Sequence, residues 1–428
     1  MIKHTAFMAL STFSRLLSAV VLFIILARFL GPRDFGILMY NFTLASIAVL
    51  LVEYGFSNQL LRDIGRYPDN INQLMGRVFL AKLYLTVVMG VCCLAGHYLF
   101  YTNDLDRAIF WILLLSCLLT SFGDFFNIAF RGIGKFHEET KVATIGSLLH
   151  FGLIVLMVIN GAELLLISLG FVLSRFVYFI LSWRAYKRVV GDLNTLSASP
   201  VAVLKALKAG FPYAVDAGFT NFFYQVDTML VKYYLGATGV GIYQAGMRFL
   251  NGAMQFAPVL GNVFLPVIAA KHTNTREFVE LAKKLNLQML AVGTVCWAIF
   301  WFAGMHITEF VFGDEYVELN SIWPYIGLLV FTRYLAAPQG VLLTASGSQT
   351  IRVWAQIFAL IILLISAPLL MKVIGLKGMV IALIITLLTL FLIFFSALRL
   401  RKIPTGFGGV NFTLTVIVFS LSIFLLVY

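Results

Sequence analysis

Charged residues are scarce in this chain. Asp, Glu, Lys and Arg make up 12% of its 428 residues, whereas 61% of the residues are hydrophobic and the mean hydropathy is +0.95. A soluble globular domain carries about 25% charged residues and cannot bury this much apolar surface. The composition therefore excludes a soluble globule and requires lipid as the solvent for most of the molecule.

Cysteine and long polar loops are also rare. The four cysteines lie inside apolar runs, without the spacing of a disulfide framework or of a metal site: Cys92, Cys93, Cys117 and Cys296. Cysteines in such runs behave as small hydrophobic residues. The longest predicted loop, 184–208, has only 25 residues, which leaves little room for a catalytic domain. We therefore expect no metal, no cofactor and no enzymatic activity.

Long apolar runs are what the sequence has in abundance. A bilayer core of roughly 30 Å needs about 20 apolar residues per helix, and thirteen windows of that size occur. The first twelve divide into two sixes about the polar stretch 184–208. The sequence predicts an all-α integral membrane protein with a six-helix bundle in 1–183, a cytoplasmic linker in 184–208, a second six-helix bundle in 209–400 and an extra transmembrane or interfacial helix in 401–428.

An eight-residue pattern occurs once in each half. Residues 30–37 read LGPRDFGI and residues 235–242 read LGATGVGI, an offset of 205. Each copy lies between two apolar runs, which predicts a helix, a tight turn and a second helix at the start of each half. Because six is an even number of spans, both halves begin on the same side of the membrane. The sequence thus predicts two parallel repeats related by a pseudo-twofold axis, a design typical of transporters.

Basic residues are distributed unevenly over the predicted loops. Most of the 31 Lys and Arg lie in the N-terminus and the even-numbered loops, and few lie in the odd-numbered loops. By the positive-inside rule, this places the N-terminus and the linker in the cytoplasm. The net charge of +12 then reflects orientation and attraction to anionic head groups, so we expect membrane lipids, and not nucleic acid, as partners.

Ionisable side chains within the spans are candidates for function, because such groups are costly in hydrocarbon unless they face an interior cavity. On the first helix Arg15 shares one polar stripe with Ser18. On the predicted seventh helix, 209–231, Asp216 and Asp227 fall on nearly the same face. The first helix therefore offers a cation, and its counterpart in the second half offers two carboxylates.

The predicted eighth helix has the longest polar stripe in the chain: Gln244, Arg248, Asn251, Gln255 and Asn262. Two prolines in the same helix, Pro258 and Pro266, predict a bend. A bend beside a polar stripe suits a gate.

Other spans contain further ionisable residues: Arg28, Glu53, Lys82, Asp124, Arg175 and Arg333. Asp124 and Arg175 lie on short polar stripes, and a structural ion pair between them is an open alternative to a functional role. For Arg28, Glu53 and Lys82, nearer the span ends, snorkelling towards the interface is the alternative explanation.

Two blocks of sequence resemble one known family. The run ARFLGPRDFGILMYNFTLASIAVLLVEYGF, 27–56, resembles the N-terminal signature of the polysaccharide transporter family, the bacterial flippases for lipid-linked O-antigen or capsule repeat units. The stretch YQVDTMLVKYYLGATGVGIYQAGMRF, 224–249, resembles the second-half signature of that family, including Gln225 and Asp227. The family belongs to the multidrug, oligosaccharidyl-lipid and polysaccharide exporter superfamily.

The resemblance implies a transporter of the bacterial inner membrane that moves a polyprenyl-pyrophosphate-linked oligosaccharide to the outer leaflet by alternating access. It also implies a polysaccharide polymerase and a chain-length regulator as partners. Mapped onto this chain, the substrate-binding residues are Arg15, Arg248, Arg333, Gln244, Asn251 and Gln255. Asp216 and Asp227 are the residues for ion coupling, and the secondary candidates are Arg28, Glu53, Asp124 and Arg175.

Three alternatives are less consistent with the sequence. A multidrug exporter of the same superfamily resembles this design but often has an acidic cation site on early helices, whereas the first helix here has Arg15 and Arg28 and no carboxylate. A flippase for peptidoglycan precursors usually has fourteen spans. A membrane polymerase or glycosyltransferase needs a larger extramembrane segment to position donor and acceptor. These considerations favour an anionic cargo.

Overall fold

The computed structural model describes the backbone of residues 2–100, 103–193, 200–223, 225–271 and 275–427. It describes the side chains of the same ranges, except for 2–17, 68, 97–100, 200–202, 216, 219–220 and 426–427. Within these ranges every regular element is a helix. The all-α membrane fold predicted from hydropathy is confirmed.

Fourteen α-helices follow one another in the described chain. They are α1 Ile2–Glu53, α2 Phe56–Arg66, α3 Ile71–Phe100, α4 Asp104–Gly132, α5 Phe136–Ile159, α6 Leu164–Val189, α7 Pro200–Phe223, α8 Val226–Met254, α9 Phe256–Ala269, α10 Arg276–Ile307, α11 Trp323–Ala345, α12 Gln349–Ile374, α13 Leu376–Leu400 and α14 Gly409–Val427. Short 3-10 turns at Pro68–Asn70 and Asp314–Ser321 and a π turn at Thr308–Phe312 complete the described elements.

Ten helical stretches in the described residues are long and apolar enough to cross a membrane. Ser18–Arg66 covers the first two predicted spans, and Asn221–Ala269 covers the end of the seventh and the eighth. The ten stretches include all or most of every predicted span except the thirteenth, with the beginnings of the first and the seventh left out. The thirteenth is α14, a shorter apolar helix over its described part.

Both copies of the eight-residue pattern contain the same backbone kink. Gly31 interrupts α1 with φ 70° and ψ 172°, and Gly236 interrupts α8 with φ 74° and ψ −167°. This conformation is open almost only to glycine, because a side chain there would clash with the backbone. The predicted tight turn is thus a kink at a single glycine, and it occurs at the same place in each copy.

We expect Gly236→Ala to lower the stability of the folded protein. No atom lies within 4 Å of the position that a Cβ would occupy, so the cost comes from the backbone alone. Strain of this kind costs about 1–3 kcal/mol. The matched control is Gly90→Ala, at an open site without positive φ, where the change is at most about 1 kcal/mol and favourable. Melting temperatures in detergent compare the two variants; equal values would contradict the assignment.

The first compact unit comprises residues 1–229, and α4 is its central helix. It packs against α6 and α1. The ring of Tyr178, on α6, lies only 2.7 Å from the position that a Cβ at Gly123 would occupy, and only 2.5 Å from the corresponding position at Gly146. Small residues allow such close approach between membrane helices. α7 also belongs to this unit: Arg62 donates a hydrogen bond from Nη1 to the hydroxyl of Tyr213 at 2.8 Å.

The second compact unit comprises residues 230–428, with α11 packed against α10, α13 and α9. The contact-based division at 229 differs from the predicted bundles 1–183 and 209–400, because α7 packs on α1, α2 and α3. The repeat boundaries, which concern duplication and not contacts, stay a prediction.

The extra C-terminal helix α14 runs alongside α10. The amide of Asn286 donates to the carbonyl oxygen of Thr405 at 2.9 Å, and the indole N–H of Trp297 donates to Ser422 Oγ at 3.1 Å. α10 and the segment from Thr405 to Ser422 therefore run in the same direction along this contact. That arrangement favours the transmembrane alternative for 401–428 over the interfacial one.

Candidate functional site

A lysine lies buried in the middle of the first unit. Lys82, on α3, is 3% exposed, and its Nζ donates a hydrogen bond to Ser121 Oγ at 2.8 Å. The ammonium also lies 5.3 Å from the ring centre of Phe122 and 6.0 Å from that of Phe125. A snorkelling lysine extends to water, whereas this one turns into the bundle. The snorkelling interpretation of Lys82 is wrong.

Two carboxylates act electrostatically on this lysine, Glu53 at the end of α1 and Asp124 on α4. Both carboxylate side chains are accessible, whereas the ammonium is not. A buried ammonium needs an opposite charge nearby to offset its desolvation. Glu53 and Asp124 supply that charge, and their own carboxylates stay accessible.

Tyr178 holds the Asp124 carboxylate in place. Its hydroxyl donates to Asp124 Oδ1 at 2.5 Å and accepts from Asn127 Nδ2 at 2.7 Å. Arg175 interacts electrostatically with Asp124 and Tyr178, but no salt bridge within 4.0 Å joins Arg175 to a carboxylate in the described part of the chain. The ion pair considered as an alternative explanation for Asp124 and Arg175 is therefore absent.

The predicted seventh helix is interrupted. α7 ends at Phe223, Gln225 lies in a turn, and α8 begins at Val226. Asp227, 7% exposed, accepts from the backbone N–H of Thr228 at 2.6 Å and from its hydroxyl at 3.1 Å. A carboxylate in a first helical turn satisfies free N–H groups and the helix dipole. Asp216 and Asp227 therefore do not share the face of one continuous helix, and the Asp216 side chain lies outside the described residues.

The polar stripe of the eighth helix extends to a break. Gln244 and Arg248 are half-buried on α8, Asn251 is exposed near its end, and the exposed Gln255 forms the turn before α9. The helix is interrupted at Gln255, three residues before Pro258, whose ring cannot continue the preceding helical bonding, whereas α9 continues through Pro266.

The hydroxyl of Tyr334, on α11, is inserted into this break. It donates to the carbonyl oxygen of Ala253 at 2.7 Å. A continuous helix would pair this carbonyl with the backbone N–H four residues further along the chain. The neighbouring Arg333 is half-buried on the same helix. The bend is thus stabilised by a second helix and not by proline alone.

We expect Tyr334→Phe to lower the free energy of unfolding by about 1–3 kcal/mol, because the Ala253 carbonyl at the break loses its hydrogen-bond donor. Tyr325→Phe is the matched control on the same helix, since the Tyr325 hydroxyl makes no hydrogen bond within the described residues. Chemical unfolding of the purified proteins in detergent measures the difference. An equal loss in both variants would show that the hydroxyl does not stabilise the bend.

The remaining predicted residues are separated from these two groups. The Arg15 side chain lies outside the described residues, and Arg28 is exposed on α1. The structure therefore places Gln244, Arg248, Asn251, Gln255 and Arg333 in the second unit and Glu53, Asp124 and Arg175 in the first.

Sequence reasoning missed two residues that organise these groups, Tyr178 and Tyr334, and gave Lys82 a snorkelling alternative that the structure contradicts. A signal existed for Tyr178, because Ser174, Tyr178 and Ser182 repeat every four residues and form one polar face of α6. Lys82 also lies well inside the apolar run of α3. For Tyr334 no local signal existed, since its partners lie in another helix.

Solved structures share this fold. One is described as lipid II flippase MurJ in an inward closed conformation, with a TM-score of 0.72, 12% identity, and coverage of 98% of this chain and 92% of that chain. Another is the inward-facing conformation of a multidrug resistance MATE family transporter of the MOP superfamily, with a TM-score of 0.71, 17% identity, and coverage of 90% and 94%. The outward-facing conformation described in the same terms has a TM-score of 0.58, 17% identity, and coverage of 90% and 95%. Identities this low show the fold alone.

No curated protein matches the chain. The family comparison matches residues 1–272 to the family described as polysaccharide biosynthesis protein, more than half of the chain and both copies of the eight-residue pattern. The similar proteins are transporters and flippases and not enzymes. The chain is thus a multi-pass membrane protein with a transporter fold, and it belongs to the polysaccharide biosynthesis protein family.

Proposed function

We propose that this protein is a flippase that carries a polyprenyl-pyrophosphate-linked oligosaccharide, of O-antigen or capsule type, from the cytoplasmic to the outer leaflet of the bacterial inner membrane. The observation that carries the proposal is membership of a polysaccharide biosynthesis family in a chain that shares its fold with a lipid II flippase over 98% of its length. Membership points to a saccharide, and the fold points to a cargo with a lipid tail.

The physical task explains why polar residues stand within the spans. A diphosphate with several sugars cannot enter hydrocarbon without losing its hydration, at a cost of many kcal/mol. Guanidinium groups replace that hydration for phosphate oxygens by paired hydrogen bonds, and amides do so for sugar hydroxyls. We assign the first role to Arg15, Arg248 and Arg333. Gln244, Asn251 and Gln255 take the second.

Alternating access needs helices that bend. The break at Gln255 lies directly beside the polar stripe of α8, and Tyr334 stabilises it from α11. We propose that this bend changes during the cycle, so that Arg248 and Asn251 are accessible first from one side of the membrane and then from the other. The lipid tail stays in the bilayer throughout.

Ion coupling requires a carboxylate that can exchange a proton or a cation. Asp216 and Asp227 remain the residues assigned to it, but Oδ1 of Asp227 already accepts two hydrogen bonds from Thr228. Glu53 and Asp124 are accessible and stand beside the buried Lys82. Within the proposed function we therefore favour Glu53 and Asp124 over Asp227 for coupling.

The direct test is transport by the purified protein in vesicles. A fluorescent polyprenyl-pyrophosphate oligosaccharide is placed in both leaflets, and an added glycosidase reports the fraction exposed outside. We expect the exposed fraction to exceed one half with time, and to do so faster under an imposed ion gradient. A cationic dye in the same vesicles tests the multidrug alternative; movement of the dye without movement of the saccharide would contradict the proposal.

The proposal also defines what must act next. The product is a lipid-linked repeat unit in the outer leaflet, so a polysaccharide polymerase and a chain-length regulator are the partners we propose to consume it. We propose an N-terminus and a linker on the cytoplasmic side, which the distribution of basic residues supports.

A further inference from the structure

A cleft opens between the first half of α5 and the second half of α6, at the end of the first unit where the linker begins. It has a volume of about 220 Å³, and we call it the α5–α6 cleft. The residues that matter for its chemistry are Glu138, Lys141, Ile145, Leu181, Arg184 and Arg188. None of them belongs to the candidate substrate or coupling groups.

The rim of the α5–α6 cleft has a positive balance. Arg188 Nη2 pairs with Glu138 Oε2 at 2.7 Å, so these two charges offset each other. Lys141 and Arg184 are exposed, and neither forms a hydrogen bond or a salt bridge with any residue that the structure describes. Two positive charges are therefore left to attract an anion.

The floor of the cleft is apolar and continues along the helix surface. Val142 is buried, Ile145 is 39% exposed, and Leu181 is half-buried. One turn further along α5, Leu148 and Leu149 are 57% and 47% exposed. Residues three and four positions apart share a helix face, so Ile145, Leu148 and Leu149 form one apolar strip that begins in the cleft. A ligand there meets cations at one end and hydrocarbon-compatible surface at the other.

We propose that the α5–α6 cleft binds the phosphate head group of an anionic phospholipid, with an acyl chain along the strip of Ile145, Leu148 and Leu149. Basic pockets between membrane helices at the cytoplasmic surface recognise anionic head groups by charge and by hydrogen bonds to phosphate oxygens. Lys141 and Arg184 supply those donors, and the Arg188–Glu138 pair closes one side.

The size of the cleft distinguishes this ligand from the cargo. Pockets for drug-sized ligands measure about 300–1,000 Å³, and a pyrophosphate with several sugars exceeds the lower end of that range. A single phosphate head group does not. The inference therefore concerns the lipid that surrounds the protein, and it holds whatever the transported molecule is.

The test uses the full-length protein in phosphatidylcholine nanodiscs with increasing amounts of phosphatidylglycerol, and native mass spectrometry of the retained lipid. A basic residue that lies beside a bound anionic head group strengthens its binding about fivefold. We expect the double variant Lys141→Ala with Arg184→Ala to bind phosphatidylglycerol about 25-fold more weakly, and retention of phosphatidylcholine to be unchanged.

The matched control removes the same charge elsewhere. Lys283 and Lys284 are exposed on α10, on the predicted cytoplasmic side, and neither lines the cleft. The double variant Lys283→Ala with Lys284→Ala is expected to retain phosphatidylglycerol like the unmodified protein. Equal weakening in both double variants, or none in either, would overturn the proposal.

Two further measurements keep the result decisive. The single variant Lys141→Gln, at an exposed position, is expected to bind phosphatidylglycerol about fivefold more weakly, which covers the case in which the double variant does not fold. A polyprenyl diphosphate is then added at the same concentration as phosphatidylglycerol. If it displaces phosphatidylglycerol completely, and the displacement depends on Lys141, the cleft is a cargo site and the assignment to phospholipid is wrong.

Discussion

Arg248→Ala is expected to reduce flipping of the lipid-linked oligosaccharide at least about thirtyfold, while the protein still inserts and folds. Truncating one member of a buried, hydrogen-bonded charge pair costs about 2–5 kcal/mol, which corresponds to that factor or more. Arg248 is half-buried on α8, and its neighbour Phe249 packs against Phe312 and Trp323 at ring-centre distances of 5.8 and 5.7 Å. The aromatic contacts fix the helix, so the loss is confined to the guanidinium.

The vesicle assay measures this effect, with Arg248→Lys as the conservative variant. Lysine keeps the charge but not the paired donors, so an intermediate rate is expected. Arg276→Ala is the matched control, because Arg276 is exposed and pairs with Glu280 one turn along the same helix, at 3.0 Å. Arg15→Ala carries the same expectation as Arg248→Ala. Normal transport by both variants would refute the assignment of the anion site.

Lys82→Ala is expected to lower the free energy of unfolding by about 1–3 kcal/mol, the cost of removing a buried, hydrogen-bonded group whose charged neighbours are accessible. Glu53 and Asp124 would face each other without the cation that now acts on both, and Ser121 would lose its donor. Unfolding of the purified protein in detergent measures the loss. Lys205→Ala, at an exposed lysine on α7, is the control and is expected to change stability little.

A double-mutant cycle separates charge from packing at this position. If the loss comes from uncompensated carboxylates, Glu53→Gln in the Lys82→Ala background restores part of the stability, and the two effects are not additive. Additive losses would instead indicate that Lys82 stabilises the bundle through its contacts with the rings of Phe122 and Phe125 and with Ser121. That outcome would remove the electrostatic argument for Glu53 and Asp124 as coupling residues.

The bend in α8–α9 and the break before Asp227 show what local sequence patterns can predict and what they cannot. Pro258 indicated a bend, and the helix does break three residues earlier. The hydroxyl of Tyr334 that satisfies the break comes from another helix, and nothing near Pro258 in the sequence points to it. At 209–231 the hydropathy pattern predicted one continuous helix, since an apolar run does not reveal the turn at Gln225.

The sequence by itself determined the class of the protein, the order of its helices and the two glycine kinks. Hydropathy, helix length and the backbone freedom of glycine are properties of a residue and its neighbours along the chain, so the linear sequence is enough to predict them. Only the tertiary structure decided that Lys82 is buried beside Glu53 and Asp124, that Tyr178 and not Arg175 holds Asp124, and that Tyr334 enters the bend. Those partners lie on different helices, and the rotation and depth of each packed helix determine which side chains meet.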